Sequence, residues 1–363
     1  MANIENIEAS QFKKMVSLFI VGTSIILAPA MLTAEAKQDA WISALIGVMA
    51  GMLLVVIYNA LGSMFPGRTL VELSREVFGF WLGTIGSLLM FAYSFLLTSL
   101  VLRNLGDFLT SSMFPETPIG AIHFVYLVIV MIGIRYGLPN IARTVDILFP
   151  WVLYLFFLFI ILISPQLEWK HVQPVLAKGV KPILFAAYPY IGFPFLELVL
   201  FLMILPSVKD AKEARKGFLL GPLLGGFILF TITLLSILVL GGENTASEIY
   251  PSFELAKKIE LGVFIQRVEA IMAVMWFLTI YVKLLICFYM TVLCLSQTLG
   301  LPEYRSIALP LGLILFALSI FITPNLGYLL SFDMTVWPLY ACTFGLLYPL
   351  LLLGVGAIRR KLC

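Results

Sequence analysis

The ionisable side chains Arg103, Glu197, Arg267, Glu269 and Lys283 fall inside segments of this chain that are otherwise apolar enough to sit in a bilayer. A charged side chain in hydrocarbon costs several kcal/mol unless it is paired or wetted, so each marks a place that holds a partner, a ligand or a proton. Arg103 and Asp107 stand four apart on one helix face, which reads as an internal ion pair. Arg267 and Glu269 stand near the start of their segment and read as structural or snorkelling groups. Glu197 is more informative. It follows, by one turn, the run Ala187-Tyr188-Pro189-Tyr190-Ile191-Gly192-Phe193-Pro194, which carries two prolines, a glycine and two tyrosines that an uninterrupted membrane helix has little reason to contain. Backbone groups freed at a broken helix must be buried in protein or turned toward a cavity, where a ligand becomes their partner. Glu197 then either fixes the broken helix or contacts a ligand or proton directly. Lys283 lies on another segment; a buried lysine shifts its proton affinity readily, so it either locks the scaffold by charge or takes part in proton-linked change.

The elements that must position these groups are membrane spans. Of the 363 residues, 61% are hydrophobic and 12% charged, against roughly 25% charged in soluble domains; the mean hydropathy is +1.05. About ten segments reach the length of a span: near 12–34, 41–63, 81–109, 119–136, 142–163, 182–205, 217–241, 263–296, 306–323 and 335–357. Lys13 and Lys14 precede an apolar run that ends near Ala34-Glu35-Ala36, as in a signal peptide. The run is too long for that and nine more spans follow, so it is expected to be retained. Cys287, Cys294 and Cys342 fall in spans and Cys363 beyond them, with no metal or disulfide spacing; His123 and His171 are isolated. No nucleophile–base pairing, metal motif or phosphate loop is visible, so the sequence does not read as an enzyme, and no catalytic residue, metal, cofactor or nucleic-acid partner is expected.

Lysine and arginine set the orientation. Lys13, Lys14, Arg68, Arg75, Arg135, Arg143, Lys209, Lys212, Arg215, Lys216, Arg305, Arg359, Arg360 and Lys361 fall on one side of a ten-span reading, and only Lys37, Lys170, Lys178, Lys181, Lys257 and Lys258 on the other. This predicts cytoplasmic termini. Segments one to five and six to ten also repeat one order of features: an interrupted span, a regular span, an amphipathic stretch (Arg68 to Gly79; Ser247 to Leu261), a long third span and two shorter ones. An odd number of spans per half inverts the second half relative to the first. The chain is therefore expected to be an all-α membrane protein, a single transmembrane domain over 1–363, with inverted repeats at about 10–163 and 182–357 and a ligand site at mid-membrane between the breaks. In the first span, Gly22-Thr23-Ser24 with Pro29 marks the break: Gly allows close backbone approach, the hydroxyls offer hydrogen bonds, and a restarted half-helix aims its N–H groups at an anion such as a carboxylate. The same small residues would also suit close helix packing.

Gly22-Thr23-Ser24-Ile25-Ile26-Leu27-Ala28-Pro29 is similar to the first-helix signature of amino acid–polyamine–organocation transporters, and Phe193-Pro194-Phe195-Leu196-Glu197 resembles their sixth-helix pattern. The whole chain more closely resembles the B subunit of GerA-type spore germinant receptors: in Gln173-Pro174-Val175-Leu176, in Leu196 to Leu202, in Gly262 to Glu269, and in the spacing of Tyr93, Arg103 and Asp107. Ser24 replaces a glycine of the transporter pattern, and Pro194-Phe195 replaces another, which stiffens the second break. The resemblance implies a LeuT-like fold with helices 1 and 6 broken. It also implies a small polar germinant, such as an amino acid, bound by Gly22, Thr23, Ser24, Ile25, Ile191, Gly192 and Glu197; the repeat geometry adds walls formed by Tyr93, Phe95, Tyr188, Tyr190 and Phe193. Lys283 would stand where sodium-coupled relatives bind a cation. The implied setting is the spore inner membrane, with other receptor subunits and the lipid bilayer as partners; an amino acid–proton symporter is the alternative.

Overall fold

A computed structural model describes residues 6–259 and 269–362. The expected motif over Gly262 to Val268, including Arg267, lies outside the described residues. Among the described residues, every regular element is a helix. It begins with α1 (Ala9–Val21), α2 (Ser24–Ala36), α3 (Ala40–Met64), the short α4 (Leu70–Phe78) and the long α5 (Phe80–Ser112). Next come α6 (Ile119–Arg135), α7 (Leu138–Ile163), α8 (Val180–Tyr190) and α9 (Ala211–Leu240), then the short α10 (Gly242–Ser247) and α11 (Pro251–Lys257). The path ends with α12 (Glu269–Leu299), α13 (Arg305–Phe321), α14 (Leu326–Thr335), α15 (Trp337–Cys342) and α16 (Tyr348–Leu362).

Among the described residues, seven helical runs are long and apolar enough to cross a bilayer, or eight if α13 and α14, bent by 102°, count as one. The ten segments read from the sequence differ from these runs at two places. From Ser24 to Met64 the apolar run is continuous over 41 residues, about twice what one crossing needs, and turns only at Lys37–Asp39. α6 has 17 residues, just short of a full crossing.

The two expected breaks differ in form. Between α1 and α2 the chain leaves the helix at Gly22 and Thr23. After α8 it stays coiled but changes winding: a wide π-type turn over Ile191–Phe195, in which the Leu196 N–H reaches back to the Ile191 carbonyl, then a tight 3₁₀ stretch over Leu196–Met203. Pro194 offers no N–H to an α-helical ladder, which accounts for the widened turn. A second wide turn, Thr343–Leu347, separates α15 from α16. Carbonyls at the two rewound turns share one donor: the buried Tyr58 hydroxyl lies 2.5 Å from the Gly345 oxygen and 3.4 Å from that of Leu196.

Local signals explain the helix ends. Thr69 and Glu72 form a reciprocal capping box at the start of α4, Gly79 with φ 83° ends it, and Asp210 caps α9 by accepting from the N–H groups of Lys212 and Glu213. Many basic residues gather at the end of the bundle where α1 starts. There Lys14 pairs with Asp146 at 2.7 Å, Arg75 donates to the carbonyls of Gln297 and Thr298, and Arg359 to that of Glu76. At the opposite end, Asp39 accepts from the Leu176 N–H and His171 meets the Leu238 carbonyl.

Arg103 and Asp107 form the ion pair expected from their spacing, at 2.9 Å, and Arg103 does more. Its second arm donates to the carbonyls of Ile320 (3.0 Å) and Thr323 (2.8 Å), which the bend between α13 and α14 strips of helical partners. Arg103→Lys keeps the charge beside Asp107 but has no planar fork to span both carbonyls. It should lower stability by about 1.5 kcal/mol, the worth of hydrogen bonds to a charged group, measured by thermal unfolding in detergent. An unchanged unfolding midpoint would show that the bend holds without Arg103.

Candidate functional site

The side chains of greatest chemical interest meet where α1, α12 and the rewound stretch after α8 cross. Lys283 Nζ lies 2.8 Å from Glu197 Oε2, and both side chains are fully buried. The same ammonium donates to Thr23 Oγ1 at 3.0 Å and stands over the rings of Phe19 and Phe193, with centroids at 5.1 and 5.3 Å. Gly22 makes the crossing possible: a Cβ there would lie 2.6 Å from Lys283 Cδ and 2.8 Å from its Cβ, well inside contact distance. The lysine stem therefore runs across the bare backbone at the end of α1, where the helix dipole favours a cation. The Trp337 indole N–H is in range of the Glu197 carboxylate without hydrogen-bond alignment, and neither Glu197 oxygen has an aligned hydrogen bond among the described residues, so the ion pair with Lys283 is its main support.

A cavity of about 10 Å³ lies between these groups, room for roughly one water. Its walls are Thr23, Phe193, Glu197 and Lys283, with Leu97, Leu100, Val101 and Asn104 of α5, and Asp333 and Trp337. Tyr93 stands behind it, stacked on Trp337 at 5.5 Å and on Phe344 at 4.9 Å.

The residues expected from the sequence divide accordingly. Thr23, Phe193, Glu197 and Lys283 meet at the cavity, and Gly22 lies under the lysine stem. Ser24 is buried with its hydroxyl unpaired among the described residues, and the Ile25 carbonyl accepts from Ser252 of α11 at 2.6 Å. Tyr190 is buried against Gly47 and lies edge-on to Phe195, and Gly192 abuts Pro338. None of these four lines the cavity, nor do the other three: Phe95 is half-buried and stacks on Phe91, Ile191 is half-buried, and Tyr188 is 42% exposed. Asn104, Asp333 and Trp337 are the polar wall residues that sequence reasoning missed. The spacing Leu97, Val101, Asn104 places one polar residue on an apolar helix face and is a usable signal; Asp333 falls just before the last apolar segment and reads there as a connection.

The sequence profile of the family described as spore germination protein matches residues 6–326 of this chain. The chain belongs to that spore germination family. It is 28% identical over 359 residues to spore germination protein KB of Bacillus subtilis (strain 168), covering 98% of this chain and 95% of that relative. To spore germination protein A2 of the same organism it is 24% identical over 357 residues, covering 94% and 93%. Among solved structures, this germination-family chain is similar to MHP1, a nucleobase-cation-symport-1 family transporter in a closed conformation with bromovinylhydantoin bound. The TM-score is 0.70 at 15% identity, over 92% of this chain and 75% of that one. It is also similar to MhsT in complex with L-phenylalanine, with a TM-score of 0.68 at 14% identity, over 97% and 98%. These likenesses give the fold: all-helical and LeuT-like.

Proposed function

We propose that this protein is the nutrient-sensing subunit of a spore germinant receptor, binding a small polar germinant such as an amino acid beside the Thr23–Lys283–Glu197 cluster. The observation that carries the reading is that cluster. An ammonium, a carboxylate and a hydroxyl converge on a cavity at the point where α1 stops and α2 restarts, which is where proteins of this architecture place small ligands and coupling ions. In this reading the chain is one transmembrane domain with ten spans, inverted repeats at about 10–163 and 182–357, and both termini cytoplasmic. It works in the spore inner membrane with other receptor subunits. Lys283 occupies the place of a coupling cation as a tethered ammonium, so the pocket needs no free ion to neutralise Glu197 or to hold the carbonyl end of α1.

A cavity of about 10 Å³ admits a germinant only when its walls move, so binding would favour a different arrangement of the helices around it. That differential affinity is what a sensor needs to pass a signal to partner subunits. The same helix movement would serve an amino acid–proton symporter, the second reading.

Phe193→Ala enlarges the cavity and removes one of the two rings beside the ammonium, while leaving both Lys283 and Glu197 in place. In spores it should change the order of preference among amino acids and sugars at normal protein abundance, by about tenfold for at least one nutrient, the effect of 1.4 kcal/mol. An unchanged preference would place the germinant elsewhere. Uptake of radiolabelled amino acid into proteoliposomes separates the two readings: accumulation driven by a proton gradient makes the protein a symporter.

A further inference from the structure

Asp333 joins the small cavity to a larger one. A groove of about 210 Å³ lies between α2, the segment linking α10 to α11, and α14, at the end of the bundle opposite the start of α1. Its walls are largely apolar, with Leu27, Met31 and Leu330 among them; among the described residues it has two acids, the exposed Glu248 and the 3%-exposed Asp333, and no lysine, arginine or histidine. Asp333 also lines the cavity beside Lys283. One carboxylate oxygen, Oδ2, has no hydrogen-bond partner among the described residues, while Asn104 is in hydrogen-bonding range of the carboxylate.

The charges facing Asp333 leave it unmatched. Glu197 and Asp107 are like charges, and Lys283 is committed to Glu197 and Thr23. Arg103 is committed to Asp107 and two carbonyls. With each of these buried cations matched to an acid, a third acid at a groove floor has a place for a cation that the described residues do not supply, and burial of an unpaired carboxylate is costly until one arrives.

We propose that Asp333 recognises the ammonium group of a small amine-bearing ligand that reaches it through this groove. This rests on the small-molecule reading above and gives that site a chemical class: primary amines, amino acids included, rather than neutral sugars. The apolar wall accepts the ligand's hydrocarbon part. The opposite charge of Lys283 across the small cavity suits a zwitterion, whose carboxylate faces the ammonium of the protein while its own ammonium faces Asp333.

Thermal unfolding of the full-length protein in detergent tests this with methylammonium chloride, L-alanine, N-acetyl-L-alanine and glucose, against NaCl and KCl at equal ionic strength. Methylammonium and alanine should raise the midpoint, acetylated alanine should not, and Asp333→Asn should lose the shift while Asp333→Glu retains part of it. Ala30→Phe, which fills the groove and leaves the carboxylate in place, should also lose the shift, so the test survives if Asp333→Asn does not fold. An equal shift in Asp333→Asn, a KCl shift as large as that of methylammonium, or acetylated alanine matching alanine would each overturn the assignment. If glucose stabilises the protein and amines do not, this assignment fails and the small-molecule reading stands; if no probe shifts the midpoint, both fail.

Discussion

Lys283→Met should lower the stability of the protein by about 3–5 kcal/mol, the cost of leaving one partner of a buried ion pair alone. Methionine keeps much of the stem that crosses Gly22 and the contact with Phe19 and Phe193, so the loss is electrostatic. Glu197, with neither oxygen in an aligned hydrogen bond among the described residues, would lose the ammonium at 2.8 Å. The double variant Lys283→Met with Glu197→Gln should recover most of the loss, because a buried neutral amide costs far less than a buried lone carboxylate. A double-mutant cycle by thermal unfolding in detergent measures this directly. If the single and double variants unfold together at the wild-type temperature, the pair is not holding the helices. Spores carrying the double variant separate stability from sensing: normal abundance with no nutrient response would assign the charges to function, whereas a normal response would make them scaffold.

Gly22→Leu is expected to abolish the nutrient response, with germination slowed by about tenfold or more, the effect of 1.4 kcal/mol on a two-state equilibrium. The new Cβ would stand 2.6 Å from Lys283 Cδ and 2.9 Å from the Phe19 carbonyl oxygen. The carbonyl is backbone and moves little, so the lysine stem must give way, and its ammonium leaves Thr23 and Glu197. Overpacking of this kind costs about 1–3 kcal/mol before the displaced ion pair is counted. Gly22→Ala should show the same defect in weaker form, because only the Cβ intrudes. Immunoblots of spore membranes must accompany the germination assay, since lost protein would mimic lost sensing. Normal abundance with a normal response in Gly22→Leu would mean that the crossing of Lys283 over α1 does not matter to the signal.

Much of the fold was readable before any coordinates. Long apolar segments can satisfy their backbone in lipid only as helices, so an all-helical membrane chain followed from composition and segment length. Arg103 and Asp107 were readable as a pair because four residues bring two side chains to one helix face. The interruption at Gly22-Thr23 was legible as a glycine followed by hydroxyl residues, and Pro194 as a disturbance of the segment around it. Its form was not: a missing N–H can open a helix or widen it, and which happens depends on neighbours such as Tyr58 that offer the loosened carbonyls a donor.

The candidate site needed the tertiary structure for a similar reason. Helical period tells which residues share a face but not which face of another helix lies opposite. Thr23 and Lys283 are 260 positions apart in the chain, and the sequence named both residues, and Glu197, without naming them as one hydrogen-bonded cluster. It also named Tyr188 and Phe95 as pocket walls from the repeat geometry, and packing turned them away from the cavity. Asp333 escaped notice because a carboxylate just before an apolar segment looks like a solvated connection; only the 102° bend between α13 and α14, held by Arg103, carries it into the protein. Sequence alone thus determined the membrane helices, where their regularity fails, and which residues carry charge. The packing of distant helices decided which charges meet and which one has no opposite charge among the described residues.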